Sequence, residues 1–157
     1  DANNPDWLVE GLACQFEVSS PGAVHQMRLA DFREAQAAVA SADAAAASAA
    51  SAVQSDKRLL SLTDLVADDE FNVADQSKRT IRYAQAWALV DYLHRTRADA
   101  LATYLRRIAA RPPNERTNRQ YRIAEFQSAF GPIDQAFEKN WIESILKLPF
   151  DPHQAGR

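Results

Sequence analysis

Tyr83-Ala84-Gln85-Ala86-Trp87-Ala88-Leu89-Val90-Asp91-Tyr92-Leu93 is the stretch that decides the fold. Only Gln85 and Asp91 interrupt its apolar and aromatic run. A helix over Ser77–Arg95 would be apolar on nearly every side, and such a helix sits at the centre of a bundle. Trp87 is therefore core. Asp91, a carboxylate inside that helix, calls for an arginine partner.

Working towards the C-terminus, Leu101, Tyr104, Leu105 and Ile108 predict an amphipathic helix over Asp99–Ala110. Asp99 near its start and Arg106, Arg107 and Arg111 near its end match the helix dipole. Pro112-Pro113 stops it, and Asn114–Arg119 reads as a polar loop. A short helix over Ile123–Phe130 ends at Gly131. Pro132 is then expected in the first turn of a last helix, with Ile133, Ala136, Phe137, Trp141, Ile145 and Leu148 as its apolar stripe. Pro149 and Pro152 close the fold.

Working towards the N-terminus, Leu59–Val66 supplies core residues, with Ser61 as a helix cap and Asp64 three residues on. The acids Asp68, Asp69 and Glu70 lack calcium-loop spacing. The segment from about 35 to 55 is almost only Ala, Ser, Asp and Gln; helix is expected over Ala35–Ala40, with Ser41–Ser55 left open between helix and linker. Met27–Val39 is a helix leading into it, after the Ser19-Ser20-Pro21-Gly22 break. His25, following that break, is expected at the surface.

The first helix is Trp7-Leu8-Val9-Glu10-Gly11-Leu12-Ala13-Cys14-Gln15-Phe16-Glu17, entered through Pro5 with Asp6 as its N-cap. Leu8, Leu12 and Phe16 form an apolar stripe. Glu10, Ala13 or Cys14, and Glu17 share another side. Gly11 inside a helix costs about 1 kcal/mol relative to alanine, which makes sense where another backbone or a metal site must come close. Glu10 stands among apolar neighbours and needs a cation, a metal or hydrogen-bond donors. Cys14 is expected to be a small core residue.

The chain has 157 residues, thirty of them alanine and only four glycine, with a net charge of −3. Composition and periodicity together predict an all-α, single-domain bundle of about six helices over residues 1–157. No apolar run approaches the ~20 residues of a membrane helix. Fourteen arginines stand against four lysines. Lys78–Arg122 holds eleven basic residues against three acidic ones, about +8, which leaves −11 for the remainder. Solvated helix faces account for this, with a patch facing substrate carboxylates, an acidic partner surface or nucleic acid as the sharper option; no aromatic-interleaved motif supports nucleic acid. No phosphate loop or dinucleotide fingerprint occurs.

The first helix also carries a resemblance. Trp-Leu-x-Glu-Gly-Leu-Ala-x-x-Phe-Glu is similar to the second zinc-binding helix of gluzincin metallopeptidases, and in particular to the bacterial, peptidase-MA-like family DUF1570. The resemblance implies that Glu10 is the third zinc ligand and Glu17 a carboxylate behind it. Tyr83, at the start of its helix, would donate a hydrogen bond to the oxyanion of the attacked peptide. Phe130-Gly131 and Trp141-Ile142 resemble the C-terminal pattern. The family's His-Glu-x-x-His is absent: His25, His94 and His153 have no i, i+4 histidine partner. A catalytic zinc takes three protein ligands plus water, and this chain offers at most one. The expectation is thus the C-terminal half of a zinc-dependent peptidase acting on peptides or proteins. Zinc and the upstream histidine helix would belong to the complete protein, and the half alone would hold no zinc and be inactive. The alternative is a non-catalytic helical interaction domain.

Overall fold

Gln85 is fully buried in a helix otherwise lined by alanine, tryptophan, leucine and valine, and it shows how the chain is wound around that helix. Its Nε2 donates to Leu60 O at 2.9 Å and its Oε1 accepts from Leu60 N at 3.0 Å, so one side chain clamps a neighbouring backbone from both sides. The computed structural model describes residues 4–18, 23–47, 58–67, 74–112, 115 and 117–155. Among them the order is α1 (Asp6–Gln15), α2 (Gln26–Ala47), α3 (Leu62–Ala67), α4 (Gln76–Thr96), α5 (Ala98–Ala109), α6 (Arg119–Phe130), α7 (Gln135–Leu146) and α8 (Pro152–Ala155). The fold is all-α, and the described residues include no strand. Of the eight helices among the described residues, against about six expected, the short α8 is the one that was not anticipated.

Helix α4 is the axis, as its apolar run requires. Ala84 to Val90 are all buried, and α1, α2, α3, α5 and α7 pack around it. Asp75 caps its N-terminus by accepting from Ser77 N and Lys78 N. Asp91 pairs with Arg95 one turn on, at 2.7 Å, as its position demanded. The core then grows through rings. Trp7 stacks on Tyr104 and meets Phe126 edge-on, while Phe32 meets Trp141 edge-on. Beneath them Arg111 and Glu125 form a buried ion pair at 2.6 Å.

Several boundaries differ from those expected. Asp6 is the first residue of α1 and not its cap; the Pro5 carbonyl accepts from Leu8 N and Val9 N instead. Pro132 lies before α7, which starts at Gln135 because Asp134 accepts from Phe137 N at 2.8 Å and caps it. Ala136 is consequently exposed, while Phe137, Trp141 and Ile145 are buried. Helix α6 begins earlier than expected, at Arg119, where Asn118 caps it through Tyr121 N. Helix α2 runs on to Ala47; residues 48–57 and the acids at 68–70 lie outside the described residues. Ser61 does cap α3: its hydroxyl accepts from Asp64 N and donates to the Asp64 carboxylate.

The largest correction concerns α1. Phe16 is not part of a buried stripe: the helix ends at Gln15, and Phe16 is 86% exposed. The buried positions are Trp7, Leu8, Gly11 and Cys14. Gly11 sets this rotation, because its backbone lies directly on α4. A Cβ there would collide with Ala86 O, and would lie 2.6 Å from Val90 Cγ2 and 2.9 Å from Ala86 C. Only glycine permits that approach. Gly11→Ala gains about 1 kcal/mol of helix propensity but overpacks the contact by up to about 3 kcal/mol. The expected net result is a loss of about 2 kcal/mol in urea unfolding; an unchanged or raised midpoint would contradict the contact.

Candidate functional site

The α1–α4 contact places Glu10, one residue before Gly11, against Tyr83 on α4. The Tyr83 hydroxyl approaches the Glu10 carboxylate, and both residues are half-buried. Burial raises the Tyr83 phenol above its usual pKa, and the charge and hydrogen bond of Glu10 raise it further. The hydroxyl therefore stays protonated at neutral pH and remains a donor. No arginine or lysine among the described residues forms an ion pair with Glu10. The two residues singled out separately in the sequence are thus brought together.

A second group lies beside them. Glu17, just past the end of α1, bonds His25 Nε2 at 2.9 Å and Arg28 at 3.3 Å. The Arg28 guanidinium also stands 5.2 Å from the centre of the Tyr83 ring and 3.9 Å from Asp31. Among the described residues Glu17 is linked to Glu10 through Arg28 and Tyr83, with Cys14 near both carboxylates. His25 is not at the surface: it is 7% exposed, because its ring packs edge-on against Trp87 while Glu17 holds its Nε2. Burial tends to raise Glu17, but the hydrogen bond from His25 and the charge of Arg28 outweigh it and hold its carboxyl below the usual range.

Cys14 is fully buried, as expected of a core residue. Burial pushes its thiol up to about 11, against a smaller lowering by Arg28. It therefore stays a thiol at neutral pH. Arg28 and His25 were not singled out as site residues. The sole sequence signal is their i, i+3 spacing at the start of α2; the partners that give them meaning sit on α1 and α4.

Among the described residues, no three His, Cys, Asp or Glu side chains converge to hold a metal ion. The donor chemistry agrees. Cys14 is a thiol, and His25 and Glu17 are bonded to each other. Glu10 is the one carboxylate of the group with no cationic partner. It fits a metal as a single donor, and this chain's described residues do not make a whole zinc site. No helix among them is long and apolar enough to cross a membrane.

The class of protein is thus an all-α bundle that presents a carboxylate–tyrosine pair between its first helix and its central one. The chain belongs to the family described as "Protein of unknown function (DUF1570)", whose model matches residues 1–115. No curated protein and no solved structure matches it. Glu10, Glu17, Arg28 and Tyr83 all fall within the matched span, whereas α6 and α7, which complete the core, lie beyond it.

Two measurements check this geometry. Cys14 should resist iodoacetamide at pH 8 in the native protein and react readily in urea; rapid native labelling would contradict its burial. Glu17, with its folded pKa below the ordinary 4.5, contributes stability that is fully present above that value. The contribution is lost as pH falls through the lower, folded value. Glu17→Gln should therefore reduce stability at neutral pH and flatten its decline below about pH 4.5, read from urea midpoints across pH.

Proposed function

We propose that this chain is the C-terminal helical part of a gluzincin-type, zinc-dependent metallopeptidase, with Glu10 as the third zinc ligand. The observation that supports this reading is the Glu10–Tyr83 pair. Its carboxylate has a neutral hydroxyl for a partner and not a cation, so its charge is not already compensated. In a closed structural ion pair the opposite would hold. The exposure of Val9 on α1 and of Phe16 just past its end, at 44% and 86%, also fits a surface that something else covers.

Zinc, when bound, would polarise the peptide carbonyl and activate a water. This chain's own residues would do three things. Glu10 would offer a carboxylate whose orientation is held by the Tyr83 hydroxyl, as partners of metal ligands generally do. The single Tyr83 proton would then turn from Glu10, by that stage held by the metal, to the oxygen on which negative charge develops, at a position fixed by the contact of α1 with α4. Val9 and Phe16 would pack against the segment that carries the two histidines and the general-base glutamate. The substrate class is a peptide or protein.

The second reading, a non-catalytic helical interaction domain, is favoured by the same exposed side chains. The two separate in the longer protein that carries an upstream His-Glu-x-x-His. There, Glu10→Gln should lower bound zinc, measured by elemental analysis after dialysis. Tyr83→Phe should keep zinc but lower kcat by about 10²- to 10³-fold. Zinc content and peptide turnover indifferent to Glu10→Gln would overturn Glu10 as the ligand, and a longer protein with neither zinc nor turnover would leave the interaction domain.

A further inference from the structure

Arg28 touches all three helices around the carboxylate–tyrosine pair. It rises from α2, and its side chain is only 14% exposed. On the α1 side it bonds Glu17 at 3.3 Å and donates towards the Cys14 sulfur. On its own helix it lies 3.9 Å from Asp31. On the α4 side its guanidinium covers the face of the Tyr83 ring, 5.2 Å from the centroid.

A half-buried tyrosine needs something to fix its ring, because the position of its hydroxyl follows from the ring torsions. Here the hydroxyl is tied to Glu10, a side chain that is itself only half-buried. The planar Arg28 cation packs on that ring. A cation over the ring face is attracted by the ring's quadrupole, and the attraction strengthens as the pair is desolvated. Arg28 is in turn restrained by Glu17, which His25 holds from the far side at 2.9 Å. The order of constraint therefore runs from His25 through Glu17 and Arg28 to Tyr83 and Glu10.

We infer that Arg28 is the positioning residue of this site: stacked on Tyr83 and anchored by Glu17, it fixes the hydroxyl that orients the Glu10 carboxylate. Its importance for turnover rests on the peptidase reading, but its effect on Tyr83 does not. Arginine suits the role better than lysine, since a planar fork can stack and hydrogen-bond at once whereas an ammonium is a point charge.

The test uses the chain labelled with 3-fluorotyrosine and read by fluorine NMR. Four tyrosines give four resonances, and Tyr83→Phe assigns the one of interest. In Arg28→Met, which keeps length but removes charge, the Tyr83 resonance should shift and broaden while those of Tyr92 and Tyr104 stay in place. Arg28→Lys should restore part of the native position. Should Arg28→Met fail to fold, Glu17→Gln, a change at a 45% exposed side chain, should move the same resonance in the same direction by less. An unmoved Tyr83 resonance in a folded Arg28 variant, or in Glu17→Gln if none folds, overturns the inference. In the longer, zinc-containing protein, Arg28→Met should lower kcat by about 10- to 100-fold with KM and zinc content retained. A moved resonance with zinc indifferent to Glu10→Gln would overturn Glu10 as the ligand alone and leave the positioning role standing.

Discussion

The bundle depends on one close approach: the backbone of α1 at Gly11 rests on the backbone of α4 at Ala86, with no side chain between them. That contact decides which residues of α1 are buried. It turns Trp7 and Cys14 inward and lets Trp7 reach Tyr104 and Phe126, so the aromatic core follows from it. It also leaves Glu10 beside the interface and not within it. A carboxylate so placed escapes full desolvation yet stays close enough to Tyr83 to be held. The cost of a glycine inside a helix is offset by that packing.

Much of this could be read from the residues alone. The apolar run of α4 had to be central, since no other placement hides it. Gly11 announced a close approach because nothing else justifies a glycine between Glu10 and Leu12. Asp91 called for an arginine, and Arg95 one turn on supplies it. Where the reading failed, the determining interaction was either a choice between adjacent caps or a contact across the fold. Pro5 and Asp6 compete to start α1, and Pro132 and Asp134 compete to start α7; the carbonyl and carboxylate hydrogen bonds decide in each case. Phe16 continues the helical spacing, but α1 ends before it. His25 follows a polar break that suggests solvent, yet its partners come from Glu17 and Trp87. The Gln85 clamp was equally hidden, since a glutamine in an apolar run does not name the backbone it will bond.

The candidate site follows the same division. Glu10 and Tyr83 drew notice separately through a motif-like context, and their meeting is a product of the Gly11 contact. Arg28 drew none, because a cation on an ordinary helix start gains a role only when a ring arrives beneath it. All of these residues lie within the span shared with the family, while the shell that closes the core does not. Leu62 N, for instance, donates to Glu138 on α7 at 2.7 Å, tying a segment inside the span to one outside it.

The start of α2 and the far end of the chain are also joined. Gln26 accepts from Asp151 N, and Arg33 donates to the carbonyls of Leu146 and Leu148, across separations of 125, 113 and 115 residues. Helical bundles fold fast when their contacts are local. These contacts are not local, and the loop they close must lose its entropy before they return anything. The order of assembly is therefore built into the topology: neighbouring helices can pair early, and the two distant ends can be joined only after the rest of the bundle has brought them within reach.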